Sequence, residues 1–179
     1  MENSGENKNG MQELKDWVVS IVIAIALALF IRHYIVELYI VEGPSMLPTL
    51  SHGERLVVNK FIYSFRTPEK GEILVFRYPR NPDRDFIKRV IAVPGDTVRI
   101  RDGQVFVNNA LLNENYILEQ TRGSQPDATV PPGHYYVMGD NRNNSEDSRF
   151  ADVGFVPHEL IKGKAVAIFW PLNNIKALP

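Results

Sequence analysis

Asp85-Phe86-Ile87-Lys88-Arg89-Val90-Ile91-Ala92-Val93 is an apolar run interrupted by two adjacent cations and closed by Pro94-Gly95-Asp96. Side chains of an extended chain alternate between two faces. Phe86, Lys88, Val90 and Ala92 therefore fall on one face, and Ile87, Arg89, Ile91 and Val93 on the other. The run is short, rich in branched residues and ended by a turn signal, so it reads as a strand. One lysine then sits among apolar neighbours, either buried with them or snorkelling from a sheet edge.

The segments on either side repeat the pattern. Upstream, Arg55–Tyr63 (RLVVNKFIY) and Glu72–Pro79 (EILVFRYP) are β-type runs, the second ending in the proline-rich loop around Asn81-Pro82-Asp83. Downstream, Thr97–Ile100 and Gln104–Asn109 flank Asp102-Gly103, a two-residue hairpin signal. His134–Asp140 (HYYVMGD) and Gly163–Leu172 (GKAVAIFWPL) supply two more. The expected architecture is mainly β, with two antiparallel sheets packed or partly closed on each other. A loop-rich insertion is expected at about 99–135, where only Tyr116-Ile117-Leu118 reads as strand between residues 108 and 132.

The N-terminal part differs. Residues 1–12 are polar and aperiodic and read as a disordered cytoplasmic tail. Trp17–Ile31 carries no charge, and extension through Arg32-His33-Tyr34-Ile35-Val36 brings the apolar stretch to membrane-spanning length. Trp17 and Tyr34 would mark its two interfaces. The small residues Ala24, Ala26 and Ala28 lie inside the run and not beyond it, which argues against a cleaved leader. The expected organisation is a tail (1–12), a single transmembrane anchor helix (13–36) and a β-rich domain (37–179). Lys8 and Lys15 precede the span and Arg32 alone follows closely, which places the domain on the extracytoplasmic side.

The composition excludes several function classes. With 20 basic and 21 acidic residues the net charge is −1, so no general field for nucleic acid exists. The absence of cysteine removes disulfides and thiolate metal sites. No metal or cofactor is implied.

Between anchor and strands lies Glu42-Gly43-Pro44-Ser45-Met46-Leu47-Pro48-Thr49-Leu50, a serine framed by prolines. It is a turn residue or a nucleophile. A nucleophile needs a base, and none of His33, His52, His134 and His158 has a recognisable catalytic context. The alternative is a lysine whose pKa falls from about 10.4 to about 7–8 through apolar burial. Lys88 is the best placed by alternation; Lys60 and Lys164 are weaker candidates. A third segment, Gly139–Arg149 (GDNRNNSEDSR), concentrates short hydrogen-bonding side chains and reads as a self-bonded scaffold in which Asp147 and Arg149 can pair.

Four segments in order behind an anchor, GPSMLPTL, GEILVFRYP, FIKRVIAVPGD and GDNRNNSEDSR, closely resemble the bacterial type I signal peptidases. These are membrane-bound Ser/Lys peptidases that remove signal peptides from exported preproteins. The resemblance extends to about residue 170. It implies Ser45 as the acyl-forming nucleophile and Lys88 as general base. It implies Ser145 as the serine orienting the lysine amine, with Asp147 and Arg149 bracing the site. It also implies shallow pockets for small signal-peptide residues lined by Val41, Met46, Leu50, Phe86 and Ile87, at a site held close to the bilayer. One departure matters: where some members carry an oxyanion-binding serine, this chain has Gly43, followed by Pro44, which has no N–H. The Ser45 N–H is then the main oxyanion donor. The rival readings are a self-cleaving Ser/Lys protease of the repressor type, which lacks an anchor, and a silent membrane-tethered β-domain, which would not need Ser45, Lys88 and Ser145 together.

Overall fold

The computed structural model describes residues 6–179, in two compact units that divide after Val36. The first is helix α1 (Glu6–Phe30), continued by one π-type turn, Ile31–Ile35. At 1.5 Å per residue α1 is about 37 Å long, enough for a bilayer core of about 30 Å. Its large side chains, Trp17, Ile21, Ile25 and Leu29 among them, are exposed all round the helix, as lipid-facing groups are. Residues 6–12, expected in the disordered tail, are instead the first turns of α1. Once the apolar run has nucleated a helix, each further residue adds a hydrogen bond at little cost, and the weaker helix formers here, Asn7, Asn9 and Gly10, alternate with or adjoin good ones. Residues 1–5 of that tail lie outside the described residues.

The second unit is built from strands β1 (Val36–Ile40), β2 (Arg55–Asn59), β3 (Ile73–Tyr78), β4 (Asn81–Ala92), β5 (Thr97–Arg101), β6 (Gln104–Val107), β7 (Ala110–Leu111), β8 (Gln125–Thr129), β9 (His134–Met138), β10 (Val156–Pro157), β11 (Ile161–Trp170) and β12 (Lys176–Ala177). The larger sheet runs β1-β2-β11-β3-β4-β9-β10, with β12 on β11, and the smaller runs β7-β6-β5-β8. The architecture is mainly β and antiparallel, in two sheets.

Strand β3 shows why the larger sheet is central. Ile73 and Val75 enter one apolar cluster with Leu56, Val58, Ala165 and Ile168. Leu74, Phe76 and Tyr78 enter another on the opposite face, with Val90, Tyr135 and Val137. A strand buried on both faces has no polar side to alternate with, hence the near-continuous hydrophobic run ILVF.

Strand β4 follows the alternation only in part. Phe86 and Val90 go to the β3 cluster of Leu74 and Phe76, and Ile87 packs on the other side. The register against β9 then shifts between Val90 and Ala92. Ala92 consequently joins Ile91 in a third cluster, against Val98, Ile100, Val105 and Val107 of the smaller sheet. A bulge of this kind re-aims side chains and turns the strand. It transfers the chain from one sheet to the next.

The region 99–135 is more ordered than expected. Asp102-Gly103 forms its hairpin with positive φ at both residues. A second hairpin, β6–β7, turns on Asn108-Asn109, also both at positive φ, and was hidden because asparagine pairs signal turns less strongly than Asn-Gly. Gln125–Thr129 pairs with β5 despite Pro126, because it is an edge strand, where proline is tolerated. Tyr116-Ile117-Leu118, expected as strand, lies in a turn and bend.

Candidate active site

Gly43 turns the chain after β1 with φ near +83°, a conformation that suits glycine. The following turns are closed by Leu47 N–H donating to the Pro44 carbonyl at 3.1 Å and Leu50 N–H to the Met46 carbonyl at 2.9 Å. Met46 and Leu50 are thereby driven into the core beside Val41 and Leu56. Ser45 lies between these anchors, and its Oγ is 2.8 Å from Lys88 Nζ. Three of the histidines are engaged away from Ser45. His52 Nδ1 accepts from the Gly43 N–H, His134 faces the Pro132 carbonyl and His158 faces Tyr135.

Lys88 is 4% exposed and stands opposite Leu74 on the neighbouring strand, its Nζ 5.0 Å from the centre of the Phe86 ring. Burial disfavours the ammonium and lowers its pKa to about 8, while the negative charges of Asp147, Glu146 and Asp140 partly oppose the shift. The desolvation is therefore partly compensated, although alternation surrounds Lys88 with apolar neighbours alone. The amine also donates to the Ile87 carbonyl at 3.1 Å. That bond leaves the neutral amine's lone pair free to face Ser45.

The polar loop is organised around Asp147, which is wholly buried. Its carboxylate accepts from the Gly139 N–H at 3.0 Å and the Ser145 hydroxyl at 2.7 Å. Arg149 binds both oxygens, Nε at 2.7 Å and an Nη at 2.8 Å, the pairing expected from their spacing. Ser145 donates its proton to Asp147, and the hydrogen bonds of the lysine amine go to Ser45 and the Ile87 carbonyl. The loop reaches the serine segment through Asn141, whose N–H donates to the Ser45 carbonyl at 3.0 Å. Gly139 permits this approach, since a Cβ there would collide with both the Ser45 carbonyl oxygen and the Ser145 side chain.

Behind the site lies a pair that spacing could not reveal. Arg89 holds Asp140 through Nε at 2.8 Å and an Nη at 2.5 Å, and Thr49 donates to the same carboxylate at 2.5 Å. The Tyr116 ring lies 4.0 Å from the Arg89 guanidinium, and fully buried Arg142 pairs with Glu114. Part of the expected loop-rich insertion, around Glu114 and Tyr116, is therefore a back wall for the catalytic loop.

A cleft of about 420 Å³ opens over the dyad, between β1 and the outer part of β4. Of the five expected pocket residues, Val41, Met46, Phe86 and Ile87 line it. Leu50 does not; the turn from Met46 directs it into the core, where it has no exposed surface. Tyr39, Ile40, Arg84, Asp85 and Glu146 also line the cleft and were missed, because their places depend on strand pairing and not on local pattern. Glu146 is held there by the Tyr78 hydroxyl at 2.7 Å, with Tyr78 stacked on Phe86.

A buried amine hydrogen-bonded to a serine hydroxyl, on the floor of an open cleft, is equipped for acyl transfer without a histidine. The family model described as signal peptidase, peptidase S26, matches residues 14–170, most of the chain. The chain belongs to the S26 signal peptidase family. "Probable signal peptidase I-2" of Synechocystis sp. is 42% identical over 89% of this chain and 74% of its own length. "Signal peptidase I" of Leptolyngbya laminosa is 41% identical over 92% and 84%. "Signal peptidase I S" of Bacillus subtilis is 34% identical over 96% of this chain and 97% of its own. The chain is accordingly a serine peptidase with signal peptidase I activity, acting on the signal peptides of preproteins. Its apolar helix α1 agrees with membrane anchoring in this family.

Proposed function

We propose that this signal peptidase cleaves through a Ser45/Lys88 dyad and an acyl-enzyme. The observation that carries the reading is the 2.8 Å contact between Ser45 Oγ and the nearly inaccessible Lys88 amine. In the reactive state Ser45 donates its proton to neutral Lys88 as Oγ attacks the scissile carbonyl carbon. The carbonyl electrons move onto its oxygen, which the Ser45 N–H receives. Collapse of this intermediate breaks the C–N bond, and Lys88 passes its proton to the departing amine. A water, deprotonated in turn by Lys88, attacks the Ser45 ester; Lys88 returns that proton to Ser45 Oγ as the ester C–O bond breaks and the signal peptide's carboxyl group is released. Ser145, Asp147 and Arg149 act as a unit that fixes the loop against Ser45. No step calls for a metal or cofactor.

The substrate binds extended in the cleft between β1 and β4, with small residues near the cut facing Val41, Met46, Phe86 and Ile87. The catalytic unit works outside the cytoplasmic face, as the Lys8, Lys15 and Arg32 distribution favours, with α1 seated in the lipid bilayer. The test is cleavage of a preprotein by the full chain in detergent, with the new N-terminus of the product sequenced. Cleavage after a small residue at the end of the signal peptide, lost in Ser45→Ala and Lys88→Ala, is the expected result. Cleavage at the wild-type rate by either variant would overturn it.

A further inference from the structure

We infer that Asn141 is a positioning residue for the oxyanion site: its side chain aims the Ser45 N–H by clamping the Pro44 carbonyl. The inference rests on Ser45 being the nucleophile. Gly43 and Pro44 leave the serine's own N–H as the donor nearest the reacting carbonyl, because proline has none and the Gly43 N–H is taken by His52. Among the described residues the Ser45 N–H makes no hydrogen bond, so it is free for substrate.

A lone donor stabilises developing charge only if its direction is fixed before reaction. The Pro44–Ser45 peptide is trans, so its C=O and N–H point in opposite directions across one rigid plane. Fixing the carbonyl therefore fixes the N–H. Both acceptor positions of the Pro44 oxygen are filled, by Leu47 N–H at 3.1 Å and Asn141 Nδ2 at 3.1 Å. The main-chain N–H of Asn141 holds the next carbonyl, that of Ser45, at 3.0 Å. One residue thus grips both peptide planes that flank the nucleophile.

Asn141 itself has little freedom. It is 5% exposed and sits between Asp140, locked to Arg89 and Thr49, and Arg142, whose Nε donates to the Gly139 carbonyl. A carbonyl oxygen only accepts, so the position facing Pro44 requires a donor. Asparagine supplies one, and aspartate of the same shape does not.

The experiment compares Asn141→Asp and Asn141→Ala with wild type and Ser45→Ala, in the full chain, on a preprotein substrate. Both Asn141 variants keep the main-chain bond to Ser45, so they report on the side chain alone. The expected result is kcat lowered about 10- to 100-fold, below the 10²–10³ for outright loss of an oxyanion donor. KM should stay within about twofold, because the aim of the N–H matters in the transition state and not in substrate binding. In Asn141→Ala the acid limb of the pH–rate profile should stay in place, since Lys88 and the charges around it are untouched. Thermal denaturation identifies a variant that fails to fold, and the other then carries the test. Wild-type kcat in a folded variant, a loss confined to KM, or a displaced limb in Asn141→Ala would overturn the inference. Activity surviving in Ser45→Ala would instead overturn the nucleophile on which it rests.

Discussion

Raising the pH from 8 to 9 separates a buried lysine base from an ordinary one. Only the neutral amine can take the Ser45 proton, so the rate follows the neutral fraction of Lys88. Burial lowers that group to about 8 against the pull of Asp147, Glu146 and Asp140. A base titrating at about 8 is about half neutral at pH 8 and about nine-tenths neutral at pH 9, so the rate rises only about 1.8-fold. A lysine titrating near 10.4 gives a rise of nearly tenfold, about 1 kcal/mol more, over the same interval. Below the midpoint the difference persists. At pH 6 about 1% of Lys88 is neutral, roughly fifty-fold less than at pH 8, with no plateau until pH 9. The assay is kcat for an internally quenched signal-peptide substrate, measured with the full chain in detergent from pH 5.5 to 10. A tenfold rise between pH 8 and 9 would refute a desolvated base. A limb near 6.5 that disappears in His52→Ala would refute lysine altogether.

Three substitutions test the surroundings of the dyad. Glu146→Gln removes a negative charge that favours the Lys88 ammonium, so the acid limb should move below 8 and the relative rate at pH 6 should rise; an unmoved or higher midpoint contradicts this. Arg89→Met strips wholly buried Asp140 of its cation and should cost about 3–5 kcal/mol of stability, read by urea denaturation. A loss under 1 kcal/mol would mean that Thr49 and water suffice for the carboxylate. Gly139→Ala forces a methyl group against the Ser45 carbonyl and the Ser145 side chain, and should lower kcat more than tenfold in a folded protein. Wild-type turnover would show that the loop can withdraw from the serine without consequence.

The strands were legible where burial leaves a pattern. Ile73–Phe76 follows from a short continuous apolar run between turn signals, and the Asp102-Gly103 hairpin from the backbone that turn residues adopt. The helix was legible because apolar length alone defines it, although its start was placed too late. Long-range geometry was not legible. The Arg89–Asp140 pair joins residues 51 apart, and Thr49 meets Asp140 across 91. Nothing local marks Tyr116 as the ring stacked on Arg89, and the bulge that sends Ala92 to the smaller sheet appears only in the pairing with β9. Lys88 itself was ambiguous between core and sheet edge until its motif was considered with those around Ser45 and Asp147. The bond from Ser145 to Asp147 was likewise not legible, since spacing indicated only the pairing of Asp147 with Arg149.

The dyad is tested most directly by trapping the acyl-enzyme. The full chain is treated with a serine-acylating β-lactam-type probe, and intact mass and peptide mapping locate the adduct. One adduct per chain on Ser45 is expected, absent in Ser45→Ala and formed much more slowly in Lys88→Ala. An adduct on another residue, or equal labelling of Lys88→Ala and wild type, would contradict the dyad.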